Sequence, residues 1–187
     1  MTLVLLLSFH FANKNRAKME TVTANKNCVL DADTIKRKIK RMALEVAEQN
    51  VDEKELIIAG IEGNGVVVAE ALDAELQKLA LFQTKLITIK LNKREPLHVS
   101  MENDIDFADK IVLLVDDVAN TGKTMLYALK PFLEKYPRKI QTLVLVERSH
   151  KLFPVQTDFA GLSIATTLQE HITVETEGKN ITGAYLH

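Results

Sequence analysis

Two adjacent carboxylates, Asp116 and Asp117, end an apolar run and precede a short turn rich in threonine and glycine. The run itself, residues 111–115, consists of branched apolar residues and is typical of a strand buried on both faces of a parallel sheet. Neighbouring carboxylates repel each other and lose hydration when buried, so their presence there indicates a function rather than a packing role. Open α/β sheets bind ligands at the carboxyl ends of their strands. We therefore expect both carboxylates to face a ligand.

The turn after the carboxylates reads Thr121-Gly122-Lys123-Thr124 and opens a predicted helix over residues 125–133. The first N–H groups of a helix have no partner inside the helix, and the helix dipole adds positive partial charge, so an anion is favoured there. Carboxylates suited to hydroxyl groups thus lie next to a turn suited to an anion. Together they predict a ligand that carries both hydroxyls and a phosphate, which is a sugar phosphate.

Two commoner phosphate-binding motifs are excluded by spacing. A nucleoside-triphosphate loop that ended at Gly122-Lys123-Thr124 would need glycine at the position of Asp117. Gly63 and Gly65 do not begin a dinucleotide-binding G-x-G-x-x-G motif, because Val68 occupies the position of the third glycine.

Composition favours one globular domain in a reducing compartment. The chain has 187 residues, with 24 basic and 25 acidic side chains and a net charge of −1, which gives no general electrostatic case for nucleic-acid binding. The lone cysteine, Cys28, cannot form an internal disulfide, which fits the cytoplasm.

The N-terminus carries an apolar stretch, Leu3–Leu7, whose flanking positive charges follow it instead of preceding it. This order does not fit a signal peptide, and the stretch is far short of a membrane span. We expect residues 1–18 to be an extension that results from a start placed too early, with the folded domain occupying residues 19–187. An appended strand or a membrane-associated arm is the alternative.

Strands and helices are predicted to alternate along the chain. The predicted elements are a helix capped by Asp31 and running to Gln49, strand Leu56–Ile61, a helix through Leu79, strands Leu86–Leu91 and Ile111–Asp117, a helix from Met125 and strand Ile140–Val146. Such alternation predicts an α/β fold, a parallel sheet with helices on both faces. Short predicted strands at Ser163–Ala165, Ile172–Val174 and Ile181–Leu186 indicate a small C-terminal cap over the sheet edge.

Two further loops should reach the same sheet edge as the carboxylates. Glu62-Gly63-Asn64-Gly65 contains two glycines and can form an anion-binding nest, or simply a tight turn. Residues 92–104 predict a long loop in which Lys93 and Arg94 could form a basic lid.

One face of the first predicted helix is basic. Its cationic residues are Lys36, Arg37, Lys38, Lys40 and Arg41. A solvated helix face is one interpretation, and a surface that contacts an anion or RNA is the other.

The order of apolar strand, two acidic residues and T-G-x-T turn resembles the phosphoribosyl pyrophosphate (PRPP) signature of type I phosphoribosyltransferases. The resemblance implies that Asp116 and Asp117 hold the ribose hydroxyls beneath the ring, with Mg²⁺ bridging hydroxyls and pyrophosphate. The resemblance also implies that residues 62–65 bind the pyrophosphate. It further implies that the loop carrying Lys93 and Arg94 closes over the site and that both side chains contact the departing pyrophosphate. The implied 5-phosphate loop consists of Ala119, Asn120, Thr121, Gly122, Lys123 and Thr124.

Within that family the chain is most similar to the pyrimidine-operon attenuation regulators that are also uracil phosphoribosyltransferases. The similarity runs from about Val29 to Tyr185 and includes the segments Val144–Pro154 and Asp158–Thr166. The hypoxanthine–guanine branch fits less well, because Asn120 stands where an aspartate would assist proton removal. The implied base-pocket residues are Ser149, His150, Phe159, Ala160 and Gly161.

The resemblance implies a cytoplasmic homodimer that binds PRPP and a nucleobase, with uracil as the leading acceptor. The chain departs from the branch at the pyrophosphate loop, where Gly63-Asn64-Gly65 replaces a T-R-G form and loses one positive charge. An RNA-binding regulator that senses nucleotides with weak catalysis is therefore one alternative. Transfer to adenine, orotate or another base is a second alternative.

Overall fold

The computed structural model describes residues 27–101, 105–167 and 169–187. Its strands are β1 (Asn27–Asp31), β2 (Glu55–Ile61), β3 (Gln83–Leu91), β4 (Val99–Met101), β5 (Ile111–Ala119), β6 (Lys139–Arg148), β7 (Phe159–Ile164), β8 (Ile172–Glu177) and β9 (Asn180–Leu186). Its helices are α1 (Ala32–Gln49), α2 (Asn64–Leu79), α3 (Lys123–Ala128) and α4 (Lys130–Leu133). The predicted extension over residues 1–18 lies outside the described residues.

The main sheet has six strands in the order β4-β3-β2-β5-β6-β7. All neighbours are parallel except β3 and β4, which are antiparallel. Alternate residues of β5 enter two separate cores: Leu113 packs with α1 and α2, whereas Leu114 packs with α3 and α4 on the opposite face. The predicted α/β fold with helices on both faces of a parallel sheet is confirmed, and the apolar character of the central strands follows from burial on both sides.

The first helix forms as its sequence predicts. The Asp31 carboxylate accepts a 2.7 Å hydrogen bond from the Thr34 N–H, which caps the helix start. The apolar face is buried through Ile35, Ile39 and Met42. No described helix combines the length and apolar character needed to cross a membrane.

A second, antiparallel sheet has the order β1-β9-β8 and joins the two ends of the described chain. Ile172 and Val174 of β8 are buried in the core that also contains α1 and α2. The predicted C-terminal cap is thus present, with an additional strand from the other end of the domain. Among the described residues β8 pairs with β9 alone, so it is an edge strand of this sheet.

Three predictions of local structure were wrong in part. The long loop after β3 contains β4, which the pairing of Val99 with Leu91 establishes. The segment predicted at Ser163–Ala165 begins at Phe159 and joins the main sheet beside β6 instead of the cap. The helix after the motif is interrupted between α3 and α4, close to Pro131, whose missing N–H and ring disfavour a helix interior.

Candidate active site

Asp116 and Asp117 lie near the carboxyl end of β5, between the central neighbours β2 and β6. Asp116 is 2% exposed and Asp117 is 9% exposed. The Asp116 carboxylate accepts a 3.0 Å hydrogen bond from the Asp117 N–H. Burial, followed by repulsion from Asp117, raises the pKa of Asp116 to about 8. The folded protein therefore favours the protonated form of Asp116 more than the unfolded chain does.

Lys93 reaches the two carboxylates from the loop after β3. Its Nζ lies 3.2 Å from Asp116 Oδ1 and 3.6 Å from Asp117 Oδ1. Desolvation lowers the pKa of Lys93, but attraction to the two carboxylates outweighs it, so the net pKa is raised. The lysine stays charged, and its side chain is 44% exposed, so it is also accessible to an arriving anion.

The turn between β2 and α2 brings Asn64 against the carboxylates. Its Nδ2 donates to Asp117 Oδ2 at 3.1 Å and to the Val174 carbonyl oxygen at 2.8 Å. Its Oδ1 accepts a 3.1 Å hydrogen bond from Thr176 Oγ1. Asn64 therefore joins the first loop, the motif strand and β8.

Two glycines in this turn are required for different reasons. Gly63 has φ 93° and ψ −135°, a conformation that is accessible essentially to glycine alone. Gly65 packs against β5, and a Cβ atom there would lie 2.9 Å from Asp116 Oδ1 and 3.1 Å from the Val115 carbonyl oxygen. The absence of a side chain at Gly65 lets α2 approach the buried carboxylate.

The motif turn leads into α3 through Gly122, which has φ 79°. The Thr121 carbonyl oxygen accepts hydrogen bonds of 3.0 Å from the N–H groups of Leu152 and Phe153, which fixes the turn from outside. Lys123 Nζ donates to the Arg94 carbonyl oxygen at 3.1 Å, so the loop after β3 contacts the motif turn.

These loops enclose a polar cavity of about 300 Å³. The predicted site residues that line it are Asn64, Lys93, Asp116, Asp117, Ala119, Asn120, Thr121, Gly122 and Thr124. The predicted residues of these three loops that do not line it are Glu62, Gly63, Gly65, Arg94 and Lys123. The three loops thus meet at one edge of the sheet, as their positions after β2, β3 and β5 require.

The five residues predicted for the base pocket lie away from this cavity. Phe159 is 2% exposed and belongs to the core, and the carbonyl oxygens of Ala160 and Gly161 accept hydrogen bonds from Arg41 at 2.8 and 3.2 Å. Ser149 lines a separate groove of about 630 Å³. His150, the next residue in the chain, is exposed to solvent. Contact of these residues with a base stays a prediction.

Strand β8 contributes cavity residues that sequence reasoning missed. Ile172, Thr173 and Val174 line the cavity together with residues of the motif turn. Asn120 donates from Nδ2 to the Ile172 carbonyl oxygen at 3.2 Å and accepts from the Ile172 N–H at 3.3 Å. The predicted strand at these positions was a usable signal, but nothing in the sequence showed which edge of it would face the carboxylates.

Residues 27–177 match the family model for the phosphoribosyl transferase domain. The chain therefore belongs to the phosphoribosyltransferase family that the fold and the acidic motif indicated.

Relatives named bifunctional protein PyrR confirm the predicted branch. The protein of Staphylococcus carnosus is 33% identical over 165 residues, which cover 81% of this chain and 94% of the relative. That of Deinococcus radiodurans is 33% identical and covers 86% of this chain and 94% of the relative. The solved hypoxanthine phosphoribosyltransferase of Trypanosoma cruzi superposes with a TM-score of 0.70 at 15% identity, covering 84% of this chain and 95% of that one. At that identity the likeness demonstrates the fold alone.

Proposed function

We propose that the protein transfers the 5-phosphoribosyl group from PRPP to a nucleobase, giving a nucleotide and pyrophosphate, with uracil as the leading acceptor. The observation that carries the proposal is the meeting of two buried carboxylates, a lysine and the T-G-K-T turn in one cavity. The turn would hold the 5-phosphate, and the carboxylates would hold the ribose hydroxyls.

The same arrangement suits the chemistry of the transfer. Cleavage of the bond between ribose C1 and pyrophosphate passes through a state with positive charge on the ring, and enzymes stabilise such states with fixed charges of opposite sign. Asp117 and the ionised form of Asp116, which the nearby Lys93 ammonium group favours, would supply negative charge beneath the ring. Lys93, which is close to both carboxylates, would move onto the departing pyrophosphate and favour its release from the ribose.

The donor set fits Mg²⁺ bound mostly through the substrate. Magnesium prefers oxygen ligands and retains several waters, so one or two carboxylates are enough when phosphate and hydroxyl oxygens supply the rest. Asp116 and Asp117 are such carboxylates. Among the described residues no group of three or more histidine, cysteine, aspartate or glutamate side chains could hold a metal. A bound ion would neutralise pyrophosphate charge as the leaving group departs.

The contacts of Asn120 support a base other than hypoxanthine or guanine. An asparagine cannot accept a proton from an incoming purine, and both polar atoms of its side chain are bonded to the backbone of Ile172. Asn120 therefore offers no proton acceptor to a purine, which weakens the case for hypoxanthine or guanine as the acceptor.

The deciding experiment is mass spectrometry of the nucleotides formed from Mg²⁺, PRPP and a panel of uracil, adenine, guanine, hypoxanthine and orotate. Formation of uridine monophosphate alone is expected. Formation of a different single nucleotide would identify another nucleobase as the acceptor and would leave the proposed reaction unchanged. Absence of every nucleotide, with Asp117→Asn as the inactive reference, would contradict the proposed transfer.

A regulator that binds nucleotides and RNA is the second candidate. It is favoured because position 64 carries asparagine where the related loop has arginine, which removes one positive charge for pyrophosphate binding. The amide of Asn64 is also fully engaged, so it adds no free donor for pyrophosphate. On the basic face of α1, however, Lys36 forms an ion pair with Asp33 and Arg41 forms one with Glu45, which compensates part of the positive charge. Nucleotide-dependent retention of RNA that weakens steeply with salt would support this candidate.

We also propose that the protein acts in the cytoplasm as a homodimer, as the family resemblance implies. Sedimentation at micromolar concentration would test the dimer, and a single species with the mass of one 21.0 kDa chain would contradict it.

A further inference from the structure

The roof of the cavity is the edge of a strand that belongs to the other sheet. Strand β8 pairs with β9 on one side, and the backbone groups of Ile172 and Val174 on its other side face loops of the main sheet. A free strand edge exposes N–H and C=O groups that need partners. Here the partners are side chains, which makes the position of β8 dependent on individual residues.

Asn120 binds β8 at Ile172 in the way a neighbouring strand would. It offers one donor and one acceptor, and the carbonyl oxygen and N–H of Ile172 complete the pair at 3.2 and 3.3 Å. The two residues are 52 positions apart in the chain, and Asn120 lies in the motif turn itself. The roof is therefore fixed directly to the predicted phosphate-binding loop.

Asn64 binds β8 two residues further on, at Val174, and it also holds a carboxylate. Its Nδ2 is shared between the Val174 carbonyl oxygen at 2.8 Å and Asp117 Oδ2 at 3.1 Å, while Thr176 Oγ1 donates to its Oδ1 at 3.1 Å. Asn64 therefore connects β8, the roof of the cavity, to Asp117, which together with Asp116 forms the floor of the cavity.

We propose that Asn64 and Asn120 are positioning residues that together hold the edge of β8 over Asp117 and thereby set the height of the ligand site. The polar atoms of both side chains are occupied by protein partners, so their main action is on β8 and not on the ligand. The identity of the ligand rests on the proposed function. The attachment of β8 does not, since it is measurable without ligand.

Aspartate is the discriminating replacement at both positions because it has the same shape but cannot donate. In Asn120→Asp the Ile172 N–H keeps its acceptor, while the Ile172 carbonyl oxygen loses its donor and faces a carboxylate. In Asn64→Asp the donor to Val174 and Asp117 is lost, and a third carboxylate enters the site. If Asn120 acted through its shape alone, Asn120→Asp would leave hydrogen exchange along β8 unchanged.

The first test is amide hydrogen exchange at Ile172 in the ligand-free protein. Asn120→Ala should accelerate exchange of this amide at least about tenfold, since its acceptor is removed. Thr182→Val is the matched control, because Thr182 Oγ1 donates to the Glu175 carbonyl oxygen within the small sheet and does not reach the main sheet. Unchanged exchange at Ile172 in Asn120→Ala, or equal acceleration in Thr182→Val, would overturn the proposal.

The second test is a double-mutant cycle on ligand binding, with uridine monophosphate as the probe. Because both asparagines act on one strand, the combined Asn64→Ala and Asn120→Ala variant should lose less affinity than the product of the two single losses. Thr176→Val removes only the bond to Asn64 and should give a smaller loss of the same kind, which protects the test against misfolding. If the loss of affinity in the double variant equals the product of the two single losses, the two asparagines act independently, and the proposed shared role is overturned.

Steady-state kinetics separates positioning from a general loss of stability. Both alanine variants should raise KM for PRPP at an unfolding midpoint close to that of the Thr182→Val control, because β8 and the carboxylates line the same cavity. A KM for PRPP equal to that of the control would contradict a role for the roof in ligand binding. If the wild-type protein forms no nucleotide, the exchange and binding tests still decide the attachment of β8.

Discussion

Replacing Asp116 by asparagine should stabilise the protein at high pH while abolishing the proposed transfer. The pKa of the buried Asp116 carboxyl rises from 3.8 to about 8 in the folded protein. A group with a higher pKa in the folded state binds its proton more tightly there, so stability is full below pH 3.8 and is lost as the pH rises through about 8. Lys93 also has a raised pKa, but its contribution is lost only above its ordinary value of 10.5. The loss between pH 4 and pH 9 should therefore come from the carboxyl group.

The size of the effect follows from the shift. One pKa unit corresponds to about 1.4 kcal/mol, so a shift from 3.8 to about 8 sets an upper limit of roughly 6 kcal/mol. Because the buried Asp116 carboxyl interacts strongly with its neighbours Asp117 and Lys93, part of this energy belongs to those interactions and is not recovered by replacing Asp116 alone. We expect Asp116→Asn to gain about 2–3 kcal/mol over the wild type at pH 9 and less than about 1 kcal/mol at pH 5.

Urea unfolding followed by circular dichroism at pH 5, 7 and 9 measures this difference. Asp52→Asn is the control, since Asp52 is exposed and its replacement removes the same formal charge. A gain in the Asp52 variant equal to that of Asp116→Asn would assign the effect to net charge. Parallel pH profiles of Asp116→Asn and the wild type would refute the argument that burial holds the carboxyl group in its neutral form.

Further predictions concern the floor and the loops of the cavity. Asp117→Asn should abolish nucleotide formation while its unfolding midpoint stays near that of the wild type, and an unchanged rate would remove the ribose role. Lys93→Gln should raise KM for PRPP at least about tenfold by removing a charge from the pyrophosphate side, whereas an unchanged KM would mean that another cation binds the leaving group. Gly65→Ala should lower the free energy of unfolding by about 1–3 kcal/mol and should lower activity, because the new Cβ would lie 2.9 Å from Asp116 Oδ1. A variant as stable as the wild type would contradict the close packing of α2 on β5.

The parts of the fold that could be predicted from sequence are those with a local signal. The strand before Asp116 is apolar throughout because it is buried on both faces, and α1 carries both a capping aspartate and a regular apolar face. By contrast, β4 has three residues and exists through its pairing with β3, so no periodicity in it could be detected. Strand β7 was misplaced because the pairing of Phe159 with Leu143 depends on a neighbour distant in the chain.

The same distinction applies to the site. Asp116, Asp117 and the T-G-K-T turn are contiguous, so their chemistry is legible in sequence. The contacts of Asn64 with Val174 and of Asn120 with Ile172 span 110 and 52 residues, and no local pattern signals them. Sequence reasoning noted both asparagines as departures from related motifs but had no means to see that they share a partner.

The floor and the roof of the cavity are stabilised by different physical means. The floor is electrostatic: the neutral form of Asp116 and the ammonium group of Lys93 limit repulsion between buried carboxylates before a ligand arrives. The roof is held by neutral hydrogen bonds from Asn64 and Asn120, which do not depend on pH in the range where Asp116 titrates. A rise in pH should therefore change the charge of the floor while the geometry of the roof is retained. Asn64 is the exception, because it bonds to both Asp117 and Val174, so a change in that carboxylate can reach β8 through Asn64.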